Sequence, residues 1–202
     1  MAYRIKEIFY SLQGEGINTG RPAVFVRFSG CNLSCPFCDT DFSGTDGPGG
    51  GEYASAHDLV SAAASHISSV NSRGSRPFVV ITGGEPALQL DDALIDQFHV
   101  NNWEIAIETN GTLPIPDGID WITVSPKAGA DLVITSGTEL KLLYPQKAID
   151  PASFEHLDFD HLIIQPIDET AGVENLRDAI HYCLAHPRWR LGIQLHKILG
   201  IK

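Results

Sequence analysis

Cys31-Asn32-Leu33-Ser34-Cys35-Pro36-Phe37-Cys38, running on into Asp39-Thr40-Asp41-Phe42, is the stretch around which the chain is organised. Thiolates this close together in one loop suit a soft metal or an iron–sulfur cluster. A structural zinc site closes with four ligands, and a ferredoxin-type cluster is also held by four cysteines. Here the loop offers three, and the remaining cysteine, Cys183, lies far away in a segment of helical spacing where apolar packing accounts for it. Three thiolates on four irons leave one iron open, and catalytic metal sites keep an open position. On the cysteines alone, a zinc knuckle completed by histidine or aspartate and a disulfide with a spare thiol also stand. The first residues, MAYRIKEIFY, lack the apolar core of a secretory signal, which disfavours the disulfide.

The segment leading into the loop, Ala23-Val-Phe-Val-Arg-Phe-Ser29, reads as a strand. Its period of two puts Phe25, Arg27 and Ser29 on one face and Val24, Val26 and Phe28 on the other. Arg27 therefore points into an interior or a mouth just ahead of the cysteines. Residues 3 to 10 form an earlier strand, followed by Ser11-Leu-Gln-Gly-Glu-Gly16, where two glycines flank Glu15. Beyond the loop, Gly44 to Gly51 is irregular. Ser55-Ala-His-Asp58 resembles a capping box, and Leu59, Val60, Ala63, Ile67 and Val70 predict a helix over about 55–70, then a turn over Asn71–Pro77.

From there the chain repeats one pattern, an apolar run that stops at polar residues. Phe78–Ile81 ends at Thr82-Gly-Gly-Glu85, Trp103–Glu108 at Thr109-Asn110-Gly111, and Ile119–Val124 at Ser125-Pro-Lys127. Thr138–Tyr144 follows, then His161–Ile164 ending at Gln165-Pro-Ile-Asp168, and Trp189–Leu195 ending at His196-Lys197. Leu90, Leu94, Ile95 and Phe98 mark a second helix, and Leu176, Ile180, Cys183 and Leu184 a third. Ligand sites of parallel α/β folds gather at the carboxyl ends of strands, so one rim is expected to carry these groups and the cysteine loop together. The connections 110–118 and 126–137 are too rich in proline and glycine for helices. The expected fold is α/β: an incomplete, splayed (β/α) barrel of about six parallel strands and three helices, in one domain spanning 1–202.

Composition removes some classes of function. The formal net charge of −11 argues against broad nucleic-acid binding, which needs a basic face. No apolar run reaches membrane-spanning length, and a cytoplasmic, reducing compartment is expected. An anionic ligand would need positive charge concentrated locally, with Arg27, Lys127, His196 and Lys197 as candidates. Of the eight histidines only His196 is singled out; the rest fit exposed helix or loop positions.

Cys-x3-Cys-x2-Cys with an aromatic before the last cysteine is similar to the signature of radical S-adenosylmethionine (SAM) enzymes. Over nearly its whole length the chain resembles the 7-carboxy-7-deazaguanine synthases of queuosine and deazapurine biosynthesis. The matching pieces are EIFYSLQGEG, VRFSGCNLSCPFCDTDF, TGGEP, IETNG, VSPKA, ELKLL, QP and QLHKILGI. The resemblance implies a carbon–nitrogen lyase reaction. A 5'-deoxyadenosyl radical takes hydrogen from carbon 6 of 6-carboxy-5,6,7,8-tetrahydropterin, and ring contraction with loss of ammonia gives 7-carboxy-7-deazaguanine.

The resemblance also implies roles residue by residue. Cys31, Cys35 and Cys38 hold a [4Fe-4S] cluster. Phe37, Cys38, Asp39, Gly84, Glu108, Asn110, Ser125, Pro126, Lys127, Gln165, Pro166, Ile167 and Asp168 meet SAM. Leu12, Gln13, Gly14, Glu15, Arg27, Thr82, His196 and Lys202 meet the substrate, with Arg27, Glu15 and His196 as the catalytic side chains. Thr40 binds magnesium, a hard cation that accepts a hydroxyl and keeps its waters. A homodimer and a reductant protein such as flavodoxin are the implied partners. Rival readings are a glycyl-radical-enzyme activase, which would lack the Gln13/Glu15/Arg27 set, and a non-enzymatic metal-binding module.

Overall fold

Nine strands form one open sheet in the computed structural model, which describes residues 2–67, 75–169 and 172–202. β1 (Tyr3–Leu12) lies antiparallel between β2 (Pro22–Phe28) and the short β3 (Gly51–Tyr53). From β2 the ladder runs parallel through β4 (Phe78–Gly83), β5 (Glu104–Thr109), β6 (Trp121–Val124), β7 (Ser136–Tyr144), β8 (Asp158–Pro166) and β9 (Trp189–Leu191). The order β3-β1-β2-β4-β5-β6-β7-β8-β9 leaves both ends unpaired among the described residues, so the barrel is partial and splayed. The parallel set exceeds the expected six by one. The segment expected as a strand over 189–195 pairs only over Trp189–Leu191, and His196 falls in a terminal helix instead.

Helices α1 (Ala56–Ser65), α2 (Asp92–Val100) and α3 (Gly172–Ala185) make the crossovers, and α4 (Leu195–Leu199) closes the chain. α1 starts where the capping box places it, with Ser55 Oγ accepting from Asp58 N at 3.2 Å. Its expected end at Val70, and residues 71–74 of the following turn, lie outside the described residues. β3 begins at Gly51, inside what reads as a loop; three residues are too few to show a period of two.

Two apolar layers fill the outer side of the sheet. Val24, Val26 and Phe28 of β2 pack with Val79, Ile81, Ile105 and Ile107 beneath α1 and α2. Val124, Leu140, Leu142, Leu162 and Ile164 pack beneath α3. The opposite, concave face holds a smaller cluster of Ala23, Phe25, Phe78, Val80 and Ala106. This is the alternation expected of β2, and it leaves Arg27 beside Phe25 on the concave side.

α3 departs from expectation. Leu176, Ile180 and Leu184 lie exposed, Leu184 by 76%, while Asn175 and Ala179 face the sheet. Ala179 lets the helix approach β8 closely, and Asn175 Nδ2 donates to Ile167 O at 2.9 Å, satisfying its buried amide. Cys183 does pack against the core, as its spacing implies. His161 also departs: it lies on β8 with its ring 6.2 Å from Trp121.

α2 is fastened by Asp91, whose Oδ1 accepts from Leu94 N at 3.0 Å and from the Tyr3 hydroxyl at 2.7 Å. Asp91→Ala removes a helix cap and strands a partly buried hydroxyl. The expected loss is about 2 kcal/mol of folding stability, read as a lower urea midpoint with an unchanged slope.

Candidate active site

The carboxyl ends of the parallel strands and the loops beyond them enclose a cavity of about 510 Å³, a volume typical of small-molecule sites. The cysteine loop forms one wall. It leaves β2 through Gly30, whose φ of 94° reverses the chain. Gly30 N donates to Phe42 O at 3.1 Å and Gly30 O accepts from Glu85 N at 2.9 Å, so the loop is pinned at its base. The TGGEP turn after β4 presses against it. A Cβ on Gly84 would stand 2.1 Å from Gly30 O and 2.8 Å from Cys31 Cβ, a fit that only glycine allows. Lys6 braces the outer rim through Asp41 and Asp46, each at 2.8 Å.

Cys31, Cys35 and Cys38 are all free thiols and all line the cavity. Burial pushes the Cys35 thiol up, opposed by the nearby Lys127 ammonium. All three thiols come from one eight-residue loop and open onto the same cavity, so the donor set there is thiolate, which suits an iron–sulfur cluster. Gln165 supports a bound ligand independently. It is 2% exposed and lines the cavity, yet its Oε1 is buried with no partner, an acceptor left for a ligand's donor.

The residues expected to meet the substrate lie together. Leu12, Gln13, Gly14, Glu15, Arg27, Thr82, His196 and Lys202 all line the cavity. Arg27 and Thr82 are register partners on β2 and β4. Arg27 Nε donates to Glu7 Oε1 at 3.0 Å, and Lys202 Nζ reaches Glu7 Oε2 at 2.5 Å. Burial raises the Glu7 carboxyl, but these two cations hold it below its ordinary value. His196 covers Gly14, where a Cβ would stand 2.2 Å from its Nδ1. Leu195 N donates to Gly14 O at 2.8 Å, which seats α4 on the turn after β1.

The residues expected to meet SAM also line the cavity, with one exception. Phe37, Asp39, Gly84, Glu108, Asn110, Ser125, Lys127, Gln165, Pro166, Ile167 and Asp168 face it, and so does Thr40. Pro126 is buried away from it, its carbonyl accepting from Gln146 Nε2 at 3.2 Å. Lys127 Nζ donates to Ser125 O at 2.6 Å and Ser125 Oγ at 2.7 Å, and burial lowers its pKa to about 8. Lys197 bridges Asp39 at 2.5 Å and Asp168 at 2.7 Å. Glu85, one of the strand-end polar groups, does not face the cavity. It is fully buried and accepts from Thr109 Oγ1 and Asn110 N, each at 2.7 Å, so it braces the next strand's turn.

Sequence reasoning missed Glu7, Lys141 and Gln194, which also line the cavity. Glu7 and Lys141 lie inside strands, where a charged residue ordinarily marks the solvated face. The available signal was the Glu139/Lys141 pair on one face of an otherwise apolar strand, beside the strand ends already assigned to the rim.

Comparison with known proteins places the chain in a family. The family described as the radical SAM superfamily matches residues 25–141. A 7-carboxy-7-deazaguanine synthase of Nitratidesulfovibrio vulgaris is 55% identical, with all of both chains covered. One of Bradyrhizobium diazoefficiens is 52% identical, again over all of both chains. The crystal structure of QueE from Escherichia coli superposes with a TM-score of 0.70 at 30% identity, covering 97% of this chain and 95% of that one. The chain belongs to the radical SAM superfamily and, within it, to the family of 7-carboxy-7-deazaguanine synthases.

Proposed function

We propose that the chain converts 6-carboxy-5,6,7,8-tetrahydropterin to 7-carboxy-7-deazaguanine with loss of ammonia, within one domain spanning 1–202. The observation that carries this reading is that the cysteine loop and the Gln13, Glu15 and Arg27 set open onto one cavity. Cys31, Cys35 and Cys38 would hold a [4Fe-4S] cluster, which with SAM bound would supply a radical able to remove hydrogen from substrate carbon. The protein's own part is to bind and orient. Arg27, fixed through Nε by Glu7, keeps its terminal nitrogens for the substrate carboxylate, a charge-assisted contact. Glu15 accepts from Gln194 Nε2 at 2.8 Å and stands as an ionised acceptor toward the ring. Asp39, Ser125, Lys127, Gln165 and Asp168 address SAM. Thr40, which lines the cavity, would offer its hydroxyl to magnesium. His196 closes the site over Gly14.

A flavodoxin-like reductant, a homodimeric assembly and a cytoplasmic setting complete the reading. Among the described residues no helix is long and apolar enough to cross a membrane. The test is anaerobic incubation of reconstituted protein with SAM, a reductant, magnesium and the carboxytetrahydropterin. Product is expected at the mass of the deazaguanine acid. Iron-replete protein that cleaves SAM but yields none would refute the proposal.

A further inference from the structure

Four residues at the cavity floor form a closed ring of hydrogen bonds, three links between side chains and the fourth through the Glu15 main-chain N–H. Lys141 Nζ pairs with Glu15 Oε2 and reaches Glu108 Oε2 at 3.3 Å. Glu108 Oε1 accepts from Gln13 Nε2 at 3.0 Å, and Gln13 Oε1 accepts from Glu15 N at 3.1 Å. The members come from β5, β7 and the turn after β1. The Lys141 side chain is 6% exposed, so its charge is balanced within the ring rather than by water.

The other charged groups facing the ring have partners of their own. Glu139 accepts from Trp121 Nε1 at 2.6 Å and from Ile17 N at 3.2 Å. Lys127 donates to Ser125, and Asp39, which faces Glu15, is held by Lys197. Among the described residues, Lys141 is thus the one ammonium ion-paired with both Glu15 and Glu108.

We propose that Lys141 is a positioning residue. It fixes Glu15 and Glu108 as a pair of ionised, acceptor-only groups, so that the floor takes the donor-rich edge of a heterocycle, its amino and ring N–H groups. The inference rests on the function proposed above, in which the ligand is a reduced pterin with such an edge. Its physical basis is the behaviour of two carboxylates sharing one buried ammonium at a partly buried site. With the ammonium removed the two carboxylates lose the cation between them and repel. The Gln13 amide stays oriented by the Glu15 main-chain N–H, but its Nε2 no longer meets a Glu108 held in one place. The floor then no longer offers two fixed acceptors to an edge made only of donors.

The test uses the reconstituted, cluster-loaded enzyme. Lys141→Met keeps most of the side-chain volume and removes the charge. KM for the carboxytetrahydropterin is expected to rise at least about tenfold, as for a lost charge-assisted contact. More 5'-deoxyadenosine should be released per product formed, while iron per chain matches the wild type. Lys141→Met/Glu108→Gln removes a cation and a carboxylate together. It provides a folded comparison should the single variant not fold, and its KM should stay raised. A KM within about twofold of wild type in the folded variant overturns the role. So does a parallel fall in iron content and kcat with KM unchanged, or failure of both variants to fold, since these mark a packing residue. Absence of product from the wild type would overturn the functional reading and this one together; with product present, an unchanged KM removes the Lys141 role alone.

Discussion

Cys35→Ala is expected to abolish product formation and SAM cleavage together, with iron per chain falling well below the wild-type value. Cys35 is the central thiol of the loop, and two cysteines cannot hold a cluster that three barely enclose. Burial raises this thiol, opposed by the nearby Lys127 ammonium, the one cation set against it among the described residues. The fold should survive. The loop is pinned at Gly30 by Phe42 and Glu85, contacts that do not involve the Cys35 side chain. The check is threefold: iron analysis, the cluster's visible absorbance, and circular dichroism against wild type. Loss of iron with an unchanged dichroism spectrum is the expected result, and iron retained at the wild-type level would remove Cys35 from the ligand set.

Arg27→Ala is expected to raise KM for the pterin by about 30- to 100-fold, the equivalent of roughly 2–3 kcal/mol for a charge-assisted, two-pronged contact. SAM cleavage without substrate should persist, because Arg27 belongs to β2 and not to the SAM-facing segments. The variant also deprives Glu7 of one of its two cations, leaving Lys202 as its partner. Arg27→Lys retains charge but not the planar fork, so only partial recovery is expected. Steady-state kinetics with the acid and with a pterin lacking the 6-carboxylate separate the two contributions. The variant's penalty should vanish on the decarboxylated ligand; a penalty equal on both ligands would place Arg27 elsewhere than at the carboxylate.

Much of this site was legible in the chain, for identifiable reasons. Alternation in Ala23–Ser29 put Arg27 on the concave face, because a strand packed under helices on one side must show its other side to the interior. The polar stops after each apolar run mapped the rim, because parallel strands end together. Lys141 and Glu7 were not legible, since a charge inside a strand looks the same whether water or a buried partner neutralises it. Glu15, the partner that buries Lys141, stands 126 residues away in the chain. α3 misled in the opposite sense. Its bulky Leu176, Ile180 and Leu184 read as a core stripe, yet the tight approach of β8 selected Ala179 and a satisfied Asn175.

The ring at the cavity floor also divides the site by reach along the chain. The three cysteines span eight residues and need only local chain to meet. The Lys141–Glu15 and Lys141–Glu108 pairs span 126 and 33 residues, and Gln194 reaches Glu15 across 179. Contacts of such sequence separation form late, after their loop-closure entropy has been met. The two halves of the site thus rest on different parts of the fold: the cysteine loop is braced by the β4 turn at Gly84 and Glu85, whereas the floor ring exists only with β7 and the C-terminal segment docked.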